Sequence, residues 1–350
     1  MRGNTDKAHS GRSRCWRPLL CAAVLCLAAG ILFGVLQWRD AAVPRAVIWA
    51  GSDLQGGGAD GSVLAVLLDT VQEAGIRSPD EAFFLGDYCS AYDAARSGAG
   101  IAIVRDVFSD AFCLEEDDIL FLQGNHDPTE TPGLDAGGAY VRDAYSVYLI
   151  HEREFPWYQA EEDLETVRAA AQRLEDFLAQ RLAAEDRRPV FVLTHMPFHM
   201  SWREDNRYAK VFVDVLNEAG AAGLNLIVLF AHNHSDDYDS YLGGSCIYLA
   251  RGSRIPVPDP TAAYGSMKYT TERLQFTYLN AGYVGFTATG EDGEALSCTV
   301  FSVYRDRVEL TRYDASGVHA LKNPGQEGIL DAGWVPDLTT VPGSVTIPLK

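Results

Sequence analysis

The chain has 350 residues, 47% of them apolar and 11% aromatic, which supports a substantial buried core and excludes disorder or a collagen-like repeat. Its formal charge of −19 is unevenly spread, residues 1–45 carrying +5 and residues 46–350 carrying −24. An acidic body lacks the basic face that tracks a nucleic-acid backbone, so no nucleic-acid partner is expected, and a phosphorylated substrate has to be drawn by something other than overall charge.

In chain order, residues 1–17 form a basic tail with five Lys or Arg, and residues 18–38 read as a transmembrane signal anchor. Leu19 to Leu36 is free of polar side chains apart from two thiols, with Trp16 and Trp38 at its edges. At 1.5 Å per residue that stretch is about long enough to cross a hydrocarbon core of roughly 30 Å. Basic residues ahead of it place the tail in the cytoplasm and the body outside the cell membrane. A cleaved signal peptide is the alternative, but the run is long and ends in bulky Val35-Leu36-Gln37-Trp38 rather than in small residues. Gly30 and Gly34 form a small-xxx-small pair that offers a weak route to a homodimer. Cys89, Cys113, Cys246 and Cys298 lie in the body, where an extracytoplasmic setting permits disulfides and leaves three pairings open.

After a linker at residues 39–45, short apolar runs alternate with helical patterns. Strands are predicted at Ala46–Ala50, Ala82–Leu85, Ile119–Leu122, Val190–Leu193 and Leu226–Phe230, and helices at Ser62–Ala74, Asp163–Ala183 and Tyr208–Ala219. Phe276–Asn280, Leu296–Tyr304 and Val308–Tyr313 alternate like antiparallel strands, the last two forming a pair. Residues 316–350, rich in Pro, Gly and Thr, read as a surface tail. Strands alternating with helices indicate an α/β fold, whose ligands gather at the carboxyl ends of its strands.

Each of the first five predicted strands stops at a residue able to bind metal. These are Asp53 with Gln55, then Asp87, then Gly124-Asn125-His126-Asp127, then His195, and finally His232-Asn233-His234. Carboxylates, amide oxygens and imidazoles make a mixed oxygen and nitrogen set suited to Mn²⁺, Fe or Zn²⁺. Taken singly, Asp53 and Asp87 read as turn or helix caps and His195 as a core histidine; their joint appearance favours ligands. His199 fits no ligand slot and reads equally as a surface histidine or as a contact behind the site or with the substrate. Cys89 has no base assigned to it as a nucleophile, and the Asn233-His234-Ser235 sequon would block the site if glycosylated.

In that order the blocks resemble the calcineurin-like metallophosphoesterases, whose signature runs D-x-H, G-D, G-N-H-D, H and G-H-x-H. The resemblance spans residues 46–315. It implies a four-layer sandwich of two mixed β-sheets flanked by helices, and a dinuclear-metal hydrolase acting on a phosphoester or phosphoanhydride through metal-bound hydroxide. Carried over position by position, it gives one metal Asp53, position 55 and His234, and the other Asn125, His195 and His232, with Asp87 bridging them. His126 would be the general acid, and Asp127 the partner that orients it.

The chain departs from the signature at Ala231, where the family has glycine, and at Gln55, where it has histidine. An amide oxygen at Gln55 tilts that metal from Zn²⁺ towards Mn²⁺ or Mg²⁺. D-x-Q resembles the branch that includes manganese-dependent ADP-ribose and CDP-alcohol diphosphatases, which makes a nucleotide diphosphatase the alternative activity. A decayed binding or scaffold protein is the alternative of another class. A phosphorylated small molecule, a nucleotide or a lipid head group is the expected partner at the site, selected by the segments Thr129–Glu162 and Ser235–Tyr269 with their aromatic residues.

Overall fold

In the computed structural model, the described residues are 42–55, 61–76, 78–157, 159–199, 206–233, 247–261, 268–285, 296–318, 320–324 and 338–350. The predicted tail and anchor, along with His234 and Cys246, lie outside them. Among the described residues no helix is long and apolar enough to cross a membrane.

The chain runs through β1 (Ala46–Gly51), α1 (Ser62–Glu73), β2 (Glu81–Phe84), α2 (Ala94–Phe112), β3 (Ile119–Phe121), β4 (Gly138–Val141) and β5 (Ser146–Ile150). It continues through α3 (Asp163–Ala183), β6 (Val190–Thr194), α4 (Ala209–Ala221), β7 (Leu226–Phe230), β8 (Tyr248–Leu249), β9 (Arg254–Pro258), β10 (Tyr269–Arg273) and β11 (Thr277–Asn280). The last strands are β12 (Ser297–Val303), β13 (Arg307–Asp314), β14 (Gly317–Val318), β15 (Leu321–Pro324), β16 (Leu338–Val341) and β17 (Ser344–Pro348).

One sheet has the order β14-β13-β12-β1-β2-β3, with β17 also on β13. The other has the order β4-β5-β6-β7-β11-β8. In the first, β1, β2 and β3 are parallel and β12 runs against β1. In the second, β5, β6, β7 and β11 are parallel, with antiparallel β4 and β8 at the edges.

Three apolar clusters show the layers. Ile48, Phe83, Leu120, Phe191, Leu229 and Phe301 meet between the two sheets. Leu67, Val71, Val104 and Phe108 of α1 and α2 cover the outer face of the first sheet, through Trp49 and Phe84. Leu174, Phe177, Phe212 and Leu216 of α3 and α4 cover the outer face of the second, through Val192 and Val228. Each fully buried side chain of this kind contributes about 1.5–3 kcal/mol relative to exposure. The strands buried on both faces read as unbroken apolar runs for that reason, which is why their periodicity was short and their boundaries clear.

Several expectations need correction. Phe276–Asn280 is a mixed-pair strand, parallel to β7 and antiparallel to β8. Residues 316–350 are not simply a surface tail. Leu321 is fully buried, β17 pairs with β13 from Ser344 to Pro348, and Val345, Ile347 and Leu349 pack on the inter-sheet cluster. The apolar residues of that stretch are few and alternate, the pattern of a half-buried edge strand. α2 has no counterpart among the predicted elements because the Ala, Ser and Gly of its first two turns dilute the helical spacing of Ile101, Val104 and Phe108. Cys298 is buried and Cys113 exposed, and these two and Cys89 are all free thiols.

Candidate metal centre

β1, β2 and β3 are parallel, as are β6 and β7, and the sequence-predicted ligands follow their carboxyl ends. Asp53 follows β1, Asp87 follows β2, Asn125 follows β3, His195 follows β6 and His232 follows β7. Three of them take left-handed backbone conformations, Asp53 at φ 57°, Asp87 at 60° and His232 at 66°. Such a conformation costs on the order of 1–3 kcal/mol per residue, and it persists only where the surroundings enforce it. All three lie in the turns just past the carboxyl ends of their strands. Ala231, the departure from glycine, is not among the residues with positive φ, so its methyl group is tolerated.

Gly86 and Gly124 bring the β2 and β3 turns together. A Cβ on Gly86, whose φ is +97°, would lie 2.4 Å from the Gly124 nitrogen, and a Cβ on Gly124 would lie 2.3 Å from the Asp87 carboxylate. Both positions therefore require glycine.

The ligand atoms converge. Asn125 Oδ1 lies 3.0 Å from His195 Nε2 and 2.8 Å from His232 Nδ1, and Asp87 Oδ2 lies 3.4 Å from His195 Nε2. Ligand atoms of Asp87, His195 and His232 all fall within 4.8 Å of one another, and all three residues are buried. His195 Nδ1 donates to the Leu85 carbonyl at 2.6 Å in its neutral form, which turns the Nε2 lone pair towards Asn125 and Asp87. Burial opposes charge on His195, but Asp87 and then Asp53 outweigh it and raise the ring to about 10, so Nε2 draws positive charge, held as a proton that a metal ion would displace. Burial likewise opposes charge on Asp87, and His195 and His126 overcome it and hold the carboxyl low.

Asp53 Oδ2 accepts from Ser52 Oγ at 2.5 Å and from the His232 amide at 3.3 Å, while its buried Oδ1 has no hydrogen-bond partner. Burying such an atom unpaired costs about 1–3 kcal/mol. The unpaired Asp53 oxygen and the convergence of Asn125, His195, His232 and Asp87 both fit a cation, and the donor set is one that divalent metals accept.

Residues 46–236 match the calcineurin-like phosphoesterase family. This chain is a calcineurin-like phosphoesterase. Accordingly it is a metal-dependent phosphoric ester hydrolase with the family's α/β fold. Among solved structures it is similar to a dimetal phosphatase from Danio rerio, at 12% identity over 79% of this chain and 98% of that one, with a TM-score of 0.46. It is also similar to a predicted phosphoesterase from Streptococcus pneumoniae, at 12% identity over 87% and 97% with a TM-score of 0.33. A third is vacuolar protein sorting 29 from Cryptosporidium parvum, at 10% identity over 87% and 98%, again at 0.33. No curated protein is a significant match.

Within this phosphoesterase, Gln55 reaches the centre and its amide nitrogen donates to Asp87 Oδ2. A half-turn about its last torsion exchanges nitrogen for oxygen at that point, so the same side chain can present Oε1 to a cation. His126 is half-buried, and its backbone amide donates to Asp87 Oδ1 at 2.8 Å. The expectation for Asp127 changes. Its Oδ2 accepts from the amides of Asp87 at 2.7 Å and Gly124 at 3.0 Å, and its Oδ1 from the amide of Tyr88 at 3.1 Å. The carboxylate thus pins the two glycine turns to each other rather than gripping the His126 ring. Burial, then the Asp87 charge, raises it to about 7.

His199 is buried rather than on the surface, with Nδ1 3.0 Å from the Tyr278 hydroxyl and Nε2 3.5 Å from the Asn233 amide nitrogen. Buried Asn233 is a poor glycosylation acceptor. Two further residues stand at the site, Trp157, one of the aromatic residues expected to select the substrate, and Glu152, which sequence reasoning did not assign. Glu152 follows β5, and the field of His195 and Asp87 reaches its carboxyl; Trp157 lies with its ring centroid 6.0 Å from that of His232. The end of β5 would have exposed Glu152 as a strand-end carboxylate, had that strand been read within Thr129–Glu162.

Proposed function

We propose that this phosphoesterase holds two divalent metal ions and hydrolyses a phosphoester or phosphoanhydride outside the membrane that anchors it. The observation that carries the reading is the convergence of Asn125 Oδ1, His195 Nε2, His232 Nδ1 and Asp87 Oδ2 on one buried point. Asn125, His195 and His232 would hold one ion, Asp53, Gln55 and His234 the other, and Asp87 would bridge them. When bound, the ions supply Lewis acidity towards phosphate oxygens and lower the pKa of a coordinated water. They also supply the positive charge that an acidic domain otherwise lacks at this place.

The chain's own residues do the rest. His195 is held in one orientation by Leu85, and the Asp127 carboxylate fixes the turns that carry Asp87 and Asn125. His126, beside Asp87, gives its proton to the leaving oxygen. With an amide oxygen at Gln55 replacing imidazole, the ion held by Asp53, Gln55 and His234 is best matched by Mn²⁺. The apolar run at 19–36 and the basic residues before it support the anchor and its orientation.

Metal analysis of the purified chain, alongside hydrolysis of an aryl phosphomonoester, an aryl phosphodiester and ADP-ribose with and without Mn²⁺, tests the activity. Metal-dependent turnover of any of them is the expected result. A protein that binds no metal and turns over none of them is instead the scaffold protein. Protease added to intact cells should remove the body and spare the first seventeen residues; a protected body reverses the orientation.

A further inference from the structure

β5 runs parallel to β6 with Ile150 opposite Thr194, so the residues that follow each strand emerge side by side, His151 and Glu152 next to His195. The Glu152 amide donates to the Gln123 carbonyl at 3.3 Å, tying this segment to the turn that carries Asn125. Glu152 Oε1 in turn accepts from the backbone amide of Trp157 at 3.1 Å. That bond holds the Trp157 backbone, and the indole lies against His232, ring centroids 6.0 Å apart and planes inclined by 49°. Tryptophan is a residue that folding normally covers, yet 37% of Trp157 stays exposed, beside a candidate metal ligand. An indole at that place is a rigid flat wall at one side of the phosphate's seat, and its distance from His232 lies within the range over which aromatic rings pair.

We infer that Trp157 forms a subsite for a flat aromatic group carried by the substrate, and that Glu152 is the positioning residue that sets the indole in place. The inference rests on the metal-centre reading of the site and adds the substrate class, a phosphate compound whose organic part presents an aromatic ring a short link away from the phosphorus. Such a ring gains stacking contact on Trp157 while its phosphate is held at the centre. An aliphatic group of similar length gains much less. The difference expected for one exposed aromatic pairing is about tenfold in affinity.

The test uses the full chain in detergent, loaded with Mn²⁺, and two stable phosphate mimics, benzylphosphonate and propylphosphonate, titrated by calorimetry. Wild-type protein should bind the benzyl compound about tenfold more tightly. Trp157→Ala should bring the ratio close to one, and Trp157→Phe should keep most of it. Glu152→Ala should lower the ratio, and Glu152→Gln should restore it, because an amide oxygen accepts the same backbone N–H. Equal binding of the two phosphonates by the wild type overturns the subsite while leaving the metal centre standing. That comparison needs no variant to fold. A ratio unchanged in Trp157→Ala also overturns it and assigns the indole to supporting His232. Failure of metal-loaded protein to bind either phosphonate overturns the metal-centre reading beneath it, and the subsite with it.

Discussion

The sandwich buries one carboxylate at the start of β2 and another just past its end, and the two are treated differently. Glu81, 2% exposed, receives Arg142 Nε at 3.0 Å on one oxygen and the Tyr145 hydroxyl on the other. Asp87, 1% exposed, is met by the His126 amide, the Gln55 side chain and the ring of His195. At the first end the chain supplies its own cation, so the charge is closed within the fold. At the second it supplies lone pairs and a strained backbone, and it leaves Asp53 Oδ1 unpaired. A buried acid ringed by Arg and Tyr is structural, whereas one ringed by His, Asn and Gln is set for a cation from outside the chain.

The largest effect should come from Asp87→Asn, which removes a ligand from both ions. Metal content should fall, and turnover should drop by about a thousandfold or more. Retention of both metals in that variant would break the comparison, because Asp87 would then be as structural as Glu81.

Next comes His126→Ala, which should keep its metal and lose about a hundred- to ten-thousandfold on substrates with poor leaving groups. Aryl esters need little protonation and should suffer much less. Equal loss on both classes would remove the general-acid role and leave His126 as a support for Asp87 through its backbone.

Arg142→Ala probes the other end and should be smaller. It strands Glu81 without its guanidinium, at a cost of about 2–3 kcal/mol once the one-third exposure of Arg142 is allowed for. Metal content and turnover per folded molecule should be unchanged. Burial already holds the Glu81 carboxyl above its usual range, in spite of Arg142. A raised acid stabilises the folded state below its unfolded value near 4.5, and that contribution is lost as pH rises through the folded value. Without Arg142 the carboxyl rises further, so the penalty should be larger at pH 8 than at pH 5. Denaturant unfolding at the two pH values reads it, and a pH-independent penalty would mean that packing rather than charge is at stake.

The smallest shift is expected at Gln55. Gln55→His should move metal preference from Mn²⁺ towards Zn²⁺ without abolishing turnover, and Gln55→Ala should lower occupancy of one ion more than the other. Unchanged preference and occupancy in both variants would mean that the hydrogen bond to Asp87 is the whole of its role.

The metal end was far more legible in the sequence than the opposite end. Parallel strands buried on both faces appear as short apolar runs, and the residue after each run is placed by strand geometry, so Asp53, Asp87, Asn125, His195 and His232 could be ordered without contacts. What escaped depended on tertiary pairing. Glu81 comes from β2 and Arg142 and Tyr145 from the β4–β5 turn, 61 and 64 residues on, and their closure into one cluster leaves no spacing to read. Asp127 sits inside a recognised motif, but its bonds to backbone amides depend on how two turns meet. β17 carried too few apolar residues to stand out until β13 supplied its partner.

β17 also has a bearing on how this protein stays dispersed. It occupies the hydrogen-bonding edge of β13 from Arg307 to Thr311, while β12 holds the opposite edge. Pro342 precedes it and Pro348 is its last residue, and proline on an outer strand blunts further pairing. A chain cut before Ser344 would bare that edge of β13 as a template for a neighbouring molecule's strand, so such a truncation should self-associate even though the metal-ligand set remains intact.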